Sequence, residues 1–257
     1  MSSAETYGRG LTLSPLTAAE RAMDQVGYFG LDGLDALLPE GLSYDVQVMV
    51  TGETGIGKSI FAAQFLYEGL VTGDTCIYVA CDETPDTMRQ HMAGFRLGTI
   101  AYERIGQLLM VDAYGRELSR ERRIVPEPTN LDEFFVYLKQ TVDEALAAHR
   151  RVRLVVDSLS TVMAVNTPTD CIEFNSHRLR YLRSHRVLTL DNYVAGVLDE
   201  RTMAGLSHAY PLIVRLAYHG AATERGRYIQ LGKLKSGMFS ATERPFTIDP
   251  RTGIVVR

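Results

Sequence analysis

The chain has 257 residues, with 46% hydrophobic and 23% charged residues. That is the balance of a globular domain with a sizeable core, and a disordered or fibrous protein is excluded. A formal net charge of −4 supplies no general pull toward nucleic acid or an anionic membrane, although it leaves room for a local basic patch. No run approaches the ~20 apolar residues of a membrane span, and "MSSAETYGRGLTLSP" lacks the charged-then-apolar build of a signal peptide, so a cytoplasmic protein is expected.

Residues 1 to 25 are weakly patterned and are expected to be a tail or strap, with one domain over 26–257. "VQVMVT" is a short continuous apolar strand, and a helix is expected over 58–71, with Phe61, Phe65, Leu66 and Leu70 at helical spacing. "TCIYVAC" is the next strand, and a helix begins near Pro85, a residue suited to a first turn. "QLLMVDA" is a third strand, and the polar "YGRELSRERRIVPEPTN" that follows reads as an exposed loop. Asn130 caps a helix whose apolar stripe is Leu131, Phe134, Phe135, Leu138, Val142, Ala145 and Leu146. "VRLVVDS" is a fourth strand, a helix is expected around 173–184, and "VLTLD" is a fifth strand. From about residue 209, "YPLIVRLAYH", "RYIQLGKLK", "RPFTI" and "GIVV" predict a closing antiparallel β region without helices. Alternating strands and helices before it predict a mostly parallel sheet flanked by helices, an α/β fold.

Cys76, Cys81 and Cys171 are odd in number and form no CxxC pair, so no disulfide framework is expected. Cys76 and Cys81 read as small buried hydrophobes. The six histidines are scattered without metal-ligand spacing.

The chemistry lies in "GETGIGKS", residues 52–59, between the first strand and the first long helix. Unpaired backbone N–H groups at a helix start carry partial positive charge and bind anions. Gly52, Gly55 and Gly57 let bare backbone approach phosphate oxygens, Lys58 adds a full charge, and Ser59 offers a hydroxyl to Mg²⁺. The full GxxxxGK[ST] spacing in strand–helix context predicts a P-loop whose cradle runs through Thr54, Gly55, Ile56, Gly57, Lys58, Ser59 and Ile60. Asp157, at the end of "RLVVD", is the candidate second anchor for the metal, through water; the competing reading makes it a cap for the next helix. Ser158 beside it is equally a cap or a ligand. Asp82 and Glu83, just past the second strand, are placed to orient an attacking water, or alternatively form the acidic start of the next helix.

"FGLDGLDALL", "VTGETGIGKSIFAAQFLYEGL", "YVACDETPDTM", "NLDEF", "RLVVDSLSTVM" and "GKLKSG…RPFTIDPRTGIVV" together resemble a single-domain member of the KaiC-like branch of the RecA-type ATPases, over about residues 28–257. The resemblance implies a RecA-type core and a ring, usually of six subunits, with ATP and Mg²⁺ held between neighbours. It implies Asp82 as the general base with Glu83 as companion. It also implies that Lys233 and Lys235 reach the next subunit's nucleotide; alternate positions on one strand share a face, whereas the plain reading is two solvated strand lysines. Asp82 stands where that family more often has glutamate, one methylene longer, and Phe239 where a histidine is common.

Three functions follow as expectations. The first is an ATPase ring that transmits its nucleotide state to a protein partner. The second is a scaffold that assembles on ATP and hydrolyses negligibly. The third is a DNA-dependent motor; its only local support is the basic stretch 116–123, which with two interspersed glutamates reads more readily as a solvated loop, and a nucleic-acid partner is not expected.

Overall fold

The computed structural model describes residues 26–115, 119–148, 151–220, 225–234 and 243–257. The expected tail over 1–25 lies outside them.

A two-stranded ribbon opens the described chain, β1 (Val26–Gly27) against β2 (Leu42–Ser43), with the short helix α1 (Asp32–Asp35) between them. Then strands and helices alternate: β3 (Gln47–Gly52), α2 (Lys58–Val71), β4 (Thr75–Ala80), α3 (Pro85–Gly94), α4 (Ile100–Arg104) and β5 (Leu108–Asp112). They continue through α5 (Leu131–Ala148), β6 (Val152–Asp157), α6 (Leu159–Met163), α7 (Pro168–Ser184), β7 (Val187–Val194), α8 (Glu200–Ala209) and β8 (Leu212–His219). The chain closes with β9 (Gly226–Leu234), β10 (Glu243–Asp249) and β11 (Gly253–Val256). The sheet order is β11-β10-β9-β8-β3-β7-β6-β4-β5. From β8 to β5 every pairing is parallel, and from β8 to β11 every pairing is antiparallel.

Parallel strands covered on both faces are apolar throughout rather than alternating. Strand β4 is buried along its whole length. Cys76, Tyr78 and Ala80 enter one core with Phe61 and Phe65 of α2, and Ile77, Val79 and Cys81 enter the other with Phe134 of α5 and Leu179 of α7. The expected stripe of α5 is confirmed, with Leu131, Phe134, Leu138, Val142 and Ala145 buried and Phe135 and Leu146 partly so. All three cysteines are buried and free.

Four expectations need correction. The strand "VLTLD" runs three residues further, to Val194, because its parallel register on β3 continues to Gly52. Helix α7 starts at Pro168 rather than near 173, capped by the Thr167 hydroxyl accepting from Asp170 N. Helix α8 was not expected; the Asp199 carboxylate caps it by accepting from Thr202 N. Strand β8 pairs parallel with β3 on one edge and antiparallel with β9 on the other, so the antiparallel region starts at the β8–β9 pairing and β8 also belongs to the parallel sheet.

Two buried ion pairs lock the frame. Near the amino ends of β4 and β6, Asp74 accepts from Arg153 Nε at 2.5 Å and from the Tyr44 hydroxyl at 2.6 Å. On the α7 face, Arg178 contacts Asp191 at 2.5 Å, and the Tyr210 hydroxyl also donates to Asp191 at 2.6 Å. The β10–β11 hairpin is clamped to α2 by Gln64, which donates to Thr252 O and Ile254 O and accepts from Ile254 N at 2.7 Å.

Candidate functional site

The loop between β3 and α2 folds as its glycines require. Gly55 has φ +77° and Gly57 φ +121°, and Gly57 is the N-cap residue of α2. No side chain caps that end, so its amides stay available for an anion. Lys58 is buried, and its Nζ donates to Gly52 O and Glu53 O, both at 2.9 Å. The ammonium is thereby held against the loop. Burial lowers its pKa, opposed by the charges of Asp157 and Asp82.

Asp157 ends β6, buried at 5% exposure. Tyr78 donates to its Oδ2 at 2.7 Å and Asn192 Nδ2 to its Oδ1 at 2.7 Å, and the Ser59 hydroxyl is a further partner. Burial raises its pKa, while those three bonds favour the ionised form. Asp157 does not cap the next helix. Ser158 holds the N-cap position of α6, yet its hydroxyl meets those of Ser160 and Thr161 rather than a backbone amide.

The adjacent carboxylates diverge. Cys81 N and Asp82 N both donate to Asp157 O, which pins the end of β4 to β6. The Asp82 side chain accepts from the Thr161 hydroxyl at 2.5 Å, whereas Glu83 meets His91 Nδ1 at 3.3 Å. Burial raises the Glu83 pKa, and the His91 contact lowers it. Neither residue starts helix α3, whose cap is Thr84.

These groups meet at a cavity of about 450 Å³. Its lining brings Lys58, Ser59, Asp82 and Asp157 together with Thr54, Gly55, Gly57 and Ile60 of the loop region, with Met88, His91, Met92 and Phe95 also in the wall. Ile56 does not line it: its side chain is fully buried in the α2-side core, leaving only backbone to the cradle. The donor set suits Mg²⁺, which keeps waters and takes substrate phosphates with one or two protein oxygens. Ser59 and Asp157 supply such oxygens, and no group of three His, Cys, Asp or Glu able to hold a metal alone exists among the described residues. Asn192 Oδ1, buried and without a partner, leaves an acceptor for a water beside Asp157.

Lys233 lies on β9 opposite Ile213 of β8. Lys235 and Phe239 fall outside the described residues. In the stretch 116–123, residues 116–118 also fall outside, while Glu121 pairs with Arg89 and Arg123 with Glu144, so those side chains are already engaged within the chain.

Sequence reasoning missed Tyr78, Asn192, Thr161 and Tyr218. The Tyr218 hydroxyl donates to Gly55 O at 3.2 Å, and Arg225 and Arg227 each sit 5.5 Å from its ring centroid. For Asn192 a signal existed, a polar Asp-Asn pair inside an otherwise apolar strand.

A glycine-lined helix start at the carboxyl edge of a mostly parallel sheet, facing a carboxylate two strands away, defines a RecA-type P-loop fold. The chain belongs to the KaiC ATPase family: residues 28–257 match the family model described as "ATPase: KaiC". It is similar to a UPF0273 protein of Pyrococcus furiosus, 32% identical over 234 residues that cover 88% of this chain and 92% of the relative. It is also similar to the circadian clock protein KaiC3 of Synechocystis sp., 26% identical over 94% of this chain and 46% of that one. Among solved structures, the crystal structure of a KaiC-like protein from the hyperthermophilic archaeon Pyrococcus horikoshii OT3 superposes with a TM-score of 0.73 at 26% identity, covering 91% of this chain and 98% of that chain.

Proposed function

We propose that residues 26–257 act as one unit that binds Mg-ATP on loop 52–59 and hydrolyses it slowly, in a ring, usually of six subunits in this family, whose nucleotide state is passed to a protein partner. The observation that carries this reading is the convergence of Lys58, Ser59, Asp82 and Asp157 on a single cavity whose lining also includes Met88, Met92 and Phe95, apolar surface of the kind an aromatic base packs on.

In this reading, backbone N–H groups of residues 54–59 cradle the phosphate tail and Lys58 neutralises the β- and γ-oxygens. Ser59 and Asp157 would hold Mg²⁺, Asp157 with its two oxygens already oriented by Tyr78 and Asn192. Held there, a magnesium ion would supply neutralisation of the phosphate charge. Asp82, with Glu83 as its companion, accepts a hydrogen bond from the attacking water and aligns it with the γ-phosphorus. Lys233 and Lys235 from a neighbouring copy offset the charge of the transferring group. That last role makes the site incomplete within one chain.

The test follows mass and phosphate release in the same samples. With Mg-ATP the wild type should assemble and release phosphate faster than Lys58→Ala; equal release rejects hydrolysis. A second reading, an ATP-switched scaffold with negligible turnover, rests on the short reach of Asp82. It predicts assembly without phosphate release, and turnover appearing in Asp82→Glu.

A further inference from the structure

Asp82 stands between two cavities. One is the nucleotide cavity; the other, about 350 Å³, is lined by Cys81, Ala113, Tyr114, Thr129 and Val162 together with Asp82 and Thr161. The Asp82 side chain is exposed, and an aspartate carboxylate on two free torsions reaches either space. Its one side-chain hydrogen-bond partner among the described residues is the Thr161 hydroxyl.

Behind Thr161 runs a line of hydroxyls. Val194 N lies 3.0 Å from Ser160 Oγ, Ser160 Oγ 3.1 Å from Ser158 Oγ, and Ser158 Oγ 3.1 Å from Thr161 Oγ1. The ends dictate its direction. A backbone N–H only donates and a carboxylate only accepts, so Ser160 donates to Ser158, Ser158 to Thr161, and Thr161 to Asp82 Oδ1. Ser158 and Ser160 are fully buried, so bulk water does not compete for their protons. Hydrogen bonds aligned head to tail polarise one another, which strengthens Thr161 as a donor. Both ends meet the nucleotide cavity, which Val194 also lines.

We propose that Thr161 is a positioning residue for Asp82, holding Oδ1 through this hydroxyl line so that Oδ2 faces the nucleotide cavity rather than the second one. The assignment rests on the reading of Asp82 as the group that orients the attacking water. The hydroxyl matters because Asp82 is short: a carboxylate that cannot swing far on its own stem is useful only where a neighbour places it.

The experiment measures phosphate release against ATP concentration for the full-length wild type, Lys58→Ala, Thr161→Val, Thr161→Ser, Asp82→Asn and the double variant Asp82→Asn/Thr161→Val. Valine keeps the shape of threonine at an exposed position, and thermal melting confirms that each variant is folded. Thr161→Val should lower kcat by about tenfold to hundredfold, the scale of a misplaced catalytic group, with KM unchanged. Thr161→Ser should recover most of the loss, and Thr161→Val should cost nothing further in the Asp82→Asn background. Wild-type turnover in Thr161→Val, failure of serine to rescue, or a full additional loss in the double variant each overturns the proposal. Wild-type release no faster than Lys58→Ala removes the hydrolytic reading itself, a comparison that does not involve Thr161, and the proposal falls with it.

Discussion

Asn192 Nδ2 donates to Asp157 Oδ1 at 2.7 Å, across neighbouring strands β7 and β6. Alternation along β7 puts Asn192 on the α2 face with Leu188 and Leu190, and Asp191 on the other face with Tyr193. Asn192→Leu keeps the bulk and leaves Asp157 Oδ1 buried without its donor. Partners that orient a metal-binding carboxylate are worth about 10–100-fold in metal affinity. The Mg²⁺ concentration for half-maximal ATP binding should rise by about that range; a magnesium titration at fixed nucleotide measures it.

The phosphate loop tolerates side chains unequally. A Cβ at Gly57 combines φ +121° with a contact at 3.2 Å to Ile248 Cδ1, whereas one at Gly55 meets nothing within 4 Å at φ +77°. Strain of this kind costs about 1–3 kcal/mol, so Gly57→Ala should weaken ATP binding by about tenfold or more, at 1.4 kcal/mol per decade. Gly55→Ala should weaken it less. Titration with a fluorescent ATP analogue ranks the two.

The contact between His91 and Glu83 predicts a shift in the acid side of the pH profile. Burial holds the Glu83 carboxyl above its ordinary range, and His91 pulls it back down. A raised carboxyl pKa means protonation, and loss of the ionised form, begins at higher pH than for an ordinary glutamate. His91→Leu removes the lowering contact, so the acid limb of kcat should move to higher pH. An unmoved limb would show that Glu83 ionisation does not govern turnover.

Asp191 lies outside the cavity lining and should contribute to stability. Arg178 is fully buried, and its guanidinium meets Asp191, Asn175 and Tyr210. Asp191→Ala strands that charge and should cost about 3–5 kcal/mol. A urea melt should show a lower midpoint with an unchanged slope. Replacing both partners with apolar residues, Arg178→Met with Asp191→Leu, should recover much of the loss.

Local pattern carried a large part of this molecule. The apolar runs, the stripe on α5 and the cradle from Gly52 to Ser59 each lie within one stretch of chain, where backbone geometry and residue type act on near neighbours. Asp157 was legible for the same reason, as a single carboxylate ending an apolar strand. The end of β7 and helix α8 were not, because "NYV" and "ERTMAGLSHA" have weak patterns of their own and take their form from pairing and caps.

What the linear order of residues determined was the anion cradle and the carboxylates near it, since φ-permissive glycines, a lysine and a helix start need only eight consecutive positions. Which groups hold those carboxylates was decided by the fold alone. Tyr78 and Thr161 act across 79 residues and Asn192 across 35. They meet because β7 inserts between β3 and β6, and β6 lies beside β4. Strand order of that kind is set by the burial of two sheet faces at once, a collective balance that no single segment contains.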